Sequence, residues 1–173
     1  NTVSMNFTSN HDENSWNGTE FERLGNHAKQ MAALTFVMPG MPLIYNGQEA
    51  GFNRRLQFFE KDSISWSGDK SFEELYKKLI LMKKENRALD VPFTQMPEEI
   101  KTERPDAVLV LKRVLNDNIV LSAFNFSAES VKVSLNEGVE NGNYKVFNET
   151  VTTTLQNGSE IEIEPFGFKI FYK

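Results

Sequence analysis

Two short polar clusters carry residue types that chemistry can use. The first is Asn10-His11-Asp12 and the second is Gly47-Gln48-Glu49. An adjacent imidazole and carboxylate at a strand end both face a ligand when the chain turns there. A carboxylate in such a cleft holds sugar hydroxyls or stabilises a cationic transition state. On the tripeptide alone, a polar loop in which Asp12 caps a turn is the simpler account. In the second cluster a glycine permits close backbone approach, while Gln48 and Glu49 either bind a polar ligand or brace the loop. Taken alone, that cluster reads as structural. His27 lies within a helical stretch and reads as a packing residue. Trp16, Tyr45 and Trp66 suit stacking on a sugar ring and packing in a core equally well.

Composition narrows the field. The 173 residues carry a net charge of −5, with 39% hydrophobic, 25% charged and 12% aromatic residues, as in an ordinary folded domain. A negative balance argues against nucleic acid, which needs a clustered positive field. Lys77-Lys78 and Lys83-Lys84 are interrupted by acidic neighbours and read as a solvated helix face. No apolar run approaches the roughly 20 residues of a membrane-spanning helix, and no charged start plus apolar stretch marks a signal peptide. The chain does not begin with Met, so Asn1 reads as an internal or processed start. Without cysteine there is no disulfide, thiolate nucleophile or Cys-based metal site, and two histidines are too few for a His-rich one. The Asn-x-Ser/Thr matches at Asn6, Asn17, Asn125, Asn148 and Asn157 are expected by chance, and Asn6 and Asn125 fall on predicted strands.

The elements that must position the clusters change character along the chain. Val3 to Thr8 reads as a short strand that stops at Ser9-Asn10. Thr19-x-x-Glu22 is a capping box, and behind it Phe21, Leu24, Ala28, Met31, Thr35 and Met38 follow helical spacing up to Pro39-Gly40. Met41 to Tyr45 is a short, nearly all-apolar run, as expected of a parallel strand covered on both faces. Ser71-x-x-Glu74 reads as a second capping box, opening a helix with Phe72, Leu75, Leu79 and Met82 on one side. Strand–helix–strand order implies a right-handed crossover, and in such folds function sits beyond the C-terminal strand ends. Both polar clusters fall there.

From about Pro92 the pattern becomes short β runs. Val108 to Val114 and Ile119 to Phe126 flank Asn116-Asp117-Asn118, a hairpin. Val131 to Leu135, Tyr144 to Phe147, Thr152 to Leu155, Ile161 to Ile163 and Phe168 to Tyr172 continue the series, with Asn157-Gly158 as a two-residue hairpin signal. This spacing predicts an antiparallel sandwich, with the boundary near Leu89 to Pro92. The expected fold class is α/β plus all-β, in two parts, 1–90 and 91–173.

Taken in combination the motifs are far more specific. Phe7-Thr8-Ser9-Asn10-His11-Asp12, a helix, then Gly40-Met41-Pro42-Leu43-Ile44-Tyr45-Asn46-Gly47-Gln48-Glu49 resembles the α-amylase family of glycoside hydrolases (glycoside hydrolase family 13). Asp62-Ser63-Ile64-Ser65-Trp66 before a long helix fits as well. The resemblance implies that residues 1–90 are strands 7 and 8, with their helices, of a partial (β/α)8 barrel. Residues 91–173 would be the antiparallel β-sandwich that follows it. It implies that Asp12 stabilises the transition state and binds the sugar at the cleavage point. His11 would donate a hydrogen bond to that sugar, and Asn10, Gln48 and Glu49 would support the loops.

The departure is equally informative. The family's nucleophile and acid/base follow strands four and five, and neither strand is present. Retaining glycosidases need those two carboxyl groups roughly 5 Å apart, and a whole barrel needs about 250 residues. The expectation is a C-terminal portion of an enzyme acting on α-glucans such as starch, inactive by itself. Its exposed strand around Leu43-Ile44-Tyr45 would be covered by the missing barrel segments or by a second copy of the chain. No cofactor is expected in this chain, since the ligands of any calcium would lie elsewhere. Compartment is left open. The alternatives are a non-catalytic carbohydrate-binding module and a purely structural β domain.

Overall fold

The computed structural model describes residues 3–90 and 95–173; residues 91–94, where the boundary read from the sequence partly falls, lie outside the described residues. The first part opens with β1 (Met5–Asn6), followed by helices α1 (Glu20–Leu24) and α2 (Ala28–Val37), and then β2 (Met41–Pro42). β1 and β2 are parallel, with Met5 opposite Met41 and Asn6 opposite Pro42. The predicted strands 3–8 and 41–45 are therefore much shorter than their apolar pattern suggests. Each pairs with a single neighbour among the described residues, through Met41 N–H to Ser4 O and Leu43 N–H to Asn6 O, both at 2.8 Å.

The predicted helix of residues 19–38 is two helices. Its capping box is present: Thr19 Oγ1 accepts from Glu22 N–H at 3.2 Å, while Thr19 N–H donates to Glu22 Oε2 at 2.7 Å. The break comes at Gly25, whose φ of +53° leaves the helical region and starts a one-turn 3-10 segment, Gly25–His27. Helix α3 (Lys70–Glu85) begins with Asp69 as its cap, accepting from Ser71 N–H at 2.9 Å, so Ser71-x-x-Glu74 is not the box that opens it. An aspartate caps as well as a serine and sits where the chain turns into the helix.

The rest is strand. A six-stranded antiparallel sheet runs in the order β3 (Glu98–Ile100), β4 (Val108–Leu115), β5 (Asn118–Asn125), β10 (Phe168–Tyr172), β7 (Gly142–Val146), β8 (Thr152–Leu155). β6 (Val131–Leu135) and β9 (Ser159–Ile163) form a second, two-stranded sheet. Asn116-Asp117 turns the β4–β5 hairpin as read, with Asn116 at positive φ. Asn157-Gly158 does not make a hairpin, because β8 pairs with β7 and β9 with β6. That turn carries the chain from one sheet to the other. β3 has no apolar alternation and escaped the sequence pattern.

The two faces of β5 explain its unbroken apolar run. Ile119, Leu121 and Ala123 pack with Val131, Val133, Leu135, Ile161 and Ile163 between the sheets. Val120 and Phe124 point the other way, and with Ile170 and Phe147 they pack under Phe36 and Val37 of α2 and Phe72, Tyr76, Leu79 and Met82 of α3. The helices thus form a third layer on the large sheet.

Leu43, Ile44 and Tyr45, expected to be the exposed apolar surface, are half-buried, and Ile44 packs against the helix core. Exposed instead are Val3, Met5, Phe7 and Met41. Asn6 sets this parity, because its side-chain amide donates to Thr35 O and Pro39 O on the helix side. Alternation turns Val3, Met5 and Phe7 to the opposite face. No helix is long and apolar enough to cross a membrane among the described residues.

Phe124 is fully buried where helix layer and sheet meet. Phe124→Ala should cost about 3–5 kcal/mol. In urea titrations followed by far-UV circular dichroism and tyrosine fluorescence, both signals should move to lower denaturant together. A helical signal that keeps its midpoint would show that the layers unfold independently.

Candidate active site

The loop after β1 is built around Asn10. Its carbonyl accepts from Asn14 N–H at 2.9 Å and its Oδ1 from Glu13 N–H at 2.8 Å, which starts a single wide turn, Glu13–Asn17. His11 and Asp12 stand at the head of that turn. Their side chains are 66% and 61% exposed, with His11 Nε2 3.6 Å from Asp12 Oδ2. A pair this wet contributes little stability, so the fold leaves both groups open to a ligand.

The loop after β2 turns at Gly47, whose φ is +94° and where a Cβ would press on Ile64 and Phe52. Gln48 is buried and is the brace between the two loops. Its Oε1 accepts from Tyr45 N–H at 2.7 Å, while its Nε2 donates to Thr8 Oγ1 at 2.7 Å and to Glu20 Oε2. Glu49 Oε2 accepts from Gly47 N–H at 3.1 Å. Both side chains are therefore engaged in holding backbone.

Glu20 was not singled out in the sequence, where an acid in a first helical turn reads as ordinary dipole pairing. Here it is buried beneath the loops and accepts from Thr8 Oγ1 at 3.0 Å as well as from Gln48, while its Oε1 has no partner. Burial pushes its carboxyl up, against the opposing pull of those hydrogen bonds and of Arg23. Burial likewise raises the Tyr76 phenol, which contacts Thr8 from α3. Arg23 ties the same strand end, donating through Nη2 to Thr8 O at 2.6 Å and through Nε to Gly18 O at 3.0 Å.

The irregular segment 52–64 is pinned over the first loop. Asn14 Oδ1 accepts from Leu56 N–H at 2.7 Å, and Ser15 Oγ donates to Leu56 O at 2.9 Å. Arg55 grips Glu22 through two bonds of 3.0 and 3.1 Å, and with help from Thr19 N–H this lowers the Glu22 carboxyl to about 2. Arg54 grips Asp62 at 2.9 and 2.7 Å; together with Gln57 N–H and Ser63 N–H it holds that carboxyl well below the usual range. Asp62 thus ties off the segment, with both of its oxygens engaged in doing so.

These loops enclose a cleft of about 300 Å³ lined by His11, Ser15, Tyr45, Asn46, Gln57, Phe58 and Glu60, among others. Trp16 stands beside it, in ring contact with Phe58 and Phe59. Trp66 is exposed. His27 packs between Phe126 and Phe166, away from the cleft. Among the described residues, no group of three or more His, Asp or Glu side chains is arranged to hold a metal ion.

Comparison with known proteins adds a family likeness. Alpha-amylase MalA of Haloarcula japonica is 27% identical over 140 residues, which are 79% of this chain and 20% of that protein. Alpha-amylase 2 of Dictyoglomus thermophilum is 31% identical over 126 residues, 62% of this chain and 22% of that one. The crystal structure of the maltogenic alpha-amylase AmyB from Thermotoga neapolitana superposes with a TM-score of 0.79 at 18% identity, covering 99% of this chain and 41% of AmyB. No known family profile matches the chain. The chain spans about a fifth of the length of the curated relatives it matches. In sequence and in fold it resembles the α-amylase family, as its motifs imply.

The raised carboxyl of Glu20 has a sign that can be measured. A group whose folded pKa lies above its unfolded value of 4.5 favours the fold below that value and loses this contribution as pH rises. The stability difference between Glu20→Gln and the unmodified protein should therefore move in favour of Glu20→Gln as pH rises above 4.5, in paired urea titrations. A difference between the two proteins that does not change with pH would count against a raised Glu20.

Proposed function

We propose that this chain is the C-terminal portion of a retaining, α-glucan-active glycoside hydrolase. Residues 1–90 would supply the last two strand–helix units of a (β/α)8 barrel and residues 91–173 its antiparallel C-terminal domain. The observation that carries the reading is the place of His11-Asp12: both unburied beyond the C-terminal end of a parallel strand, His11 lining a cleft and Asp12 3.6 Å from His11, in a chain similar to α-amylases. Asp12 is the transition-state stabiliser, its fixed negative charge set against the positive charge that develops on the sugar ring. His11 donates a hydrogen bond to a hydroxyl of the same sugar. Asn10, Gln48 and Glu49 act through the backbone they hold.

The two carboxyl groups that perform the covalent chemistry, about 5 Å apart in retaining enzymes, are assigned to preceding barrel strands. The 173-residue chain is accordingly inactive by itself. Val3, Met5, Phe7 and Met41 form an uncovered apolar face, and beside them a groove of about 390 Å³ runs along β1 between Met5, Phe7, Leu24, Met31, Leu34 and Met38. Preceding strand–helix units fill both, completing the barrel and drying the site, which strengthens every charge in it. Residues 91–173 act as a structural cover, since their large sheet buries the helices.

In the enzyme that includes those units, Asp12→Asn should lower kcat on an α-linked maltooligosaccharide by about 10²–10³-fold without shifting the melting temperature. Unchanged turnover would remove Asp12 from the mechanism. The isolated chain should bind a hydrophobic dye or self-associate through its open face. A monodisperse monomer that binds no dye would count against a missing cover.

A further inference from the structure

Four rings lie in a chain of contacts that starts in the cleft, where His11 and Phe58 are part of the lining, and continues outside it to Trp16 and Phe59. Phe58 is the hub, with its centroid 5.7 Å from His11, 5.2 Å from Trp16 and 4.8 Å from Phe59. Phe58, Phe59 and Trp16 are nonetheless 38%, 81% and 58% exposed, so these rings cover no core. We propose that Trp16, Phe58 and Phe59 form a stacking platform for the glucose units of an α-linked glucan next to the one held by His11 and Asp12. This rests on the glycosidase reading and adds the residues that seat the neighbouring sugars.

Three features carry it. The first is chemical complementarity. A pyranose presents an apolar C–H face and a rim of hydroxyls. Here ring faces adjoin a cleft whose polar lining includes His11, Ser15, Gln57 and Glu60. Ser15 is already bonded to Leu56 O, but a purely apolar partner would leave His11, Gln57 and Glu60 without a match. The second is shape. Phe58 is tilted 39° to Trp16 and 74° to Phe59, so the surface is curved. A curved surface suits the bend of an α-linked chain, whereas a flat β-linked chain asks for coplanar rings. The third is rigidity. Phe58 and Phe59 sit in a segment closed by the Arg54–Asp62 fork, and Trp16 sits in the turn fastened to it through Asn14 and Ser15. The ordering entropy is met during folding rather than on binding, as a preorganised site requires.

Ligand-observed NMR titration of the 173-residue protein tests it, with maltoheptaose as probe and cellohexaose as comparator. The expected result is weak binding of maltoheptaose over cellohexaose. Phe58→Ala and Trp16→Ala should each weaken it by about tenfold, and Trp66→Ala, at an exposed tryptophan outside the platform, should leave it unchanged. Maltoheptaose binding that is equal in Phe58→Ala, Trp16→Ala and the parent would overturn the platform while leaving the α-glucan reading standing. Binding of cellohexaose alone would overturn both. No binding of either sugar would overturn the platform, as would a self-association that Phe58→Ala abolishes, which would make the rings a protein contact. Turnover of maltooligosaccharide by the enzyme with its preceding units tests the glycosidase reading separately.

Discussion

Burial of one strand on both faces organises this molecule. β5 sends Leu121 and Ala123 into the core between the sheets and Val120 and Phe124 into the core under the helices. Both cores therefore depend on its alignment with β4 and β10. Because α2 and α3 rest on that strand, so do the loops that α1, α2 and β2 carry at their ends. Polar ties cross the same seam. The Asn86 side chain donates to Lys173 O at 3.0 Å, and Arg113 Nη1 donates to Val37 O at 3.2 Å. The antiparallel part is thus the floor on which the parallel strand pair is mounted.

Above that floor, positioning and chemistry are divided between buried and exposed groups. Thr8, Glu20 and Gln48 form a closed polar knot that locks the end of β1 to the loop after β2. A knot of this kind is costly if any member is lost, because the others are left buried without partners. His11 and Asp12 sit just beyond it and spend none of their hydrogen-bonding capacity on the knot. That separation lets the two exposed groups address a ligand while the backbone beneath them stays fixed.

The same separation applies to segment 52–64. Its charged residues, Arg54, Arg55 and Asp62, are consumed in holding the loop against Glu22 and against each other. The aromatic residues between them are left facing water. A loop whose ion pairs hold its backbone and whose rings are exposed is arranged for contact with something outside it. The parity of β1 divides its residues in the same way: Asn6 bonds the helix side, and its neighbours Met5 and Phe7 meet solvent.

Much of this was legible in the residues. The β runs from Val108 to Tyr172, the β4–β5 turn, the capping box at Thr19 and the order of strand, helices, strand all follow from patterns of two to four residues, which local sterics decide. The motif around His11-Asp12 was equally visible, because a family likeness is a property of the string itself. Other features depended on partners distant in sequence. Asn157-Gly158 has hairpin chemistry, yet whether its flanking strands pair depends on β6 and β7. Ser71 is an acceptable cap, yet Asp69 lies where the chain enters the helix. Glu20 looks like a surface acid, and only the approach of Thr8 and Gln48 buries it. Phe58, Phe59 and Trp16 carry no spacing signal, and it takes the Arg54–Asp62 and Asn14–Leu56 bonds to bring them together. Local conformational preference is written residue by residue, whereas burial and the meeting of side chains depend on where remote segments come to rest, and that was decided by the tertiary structure.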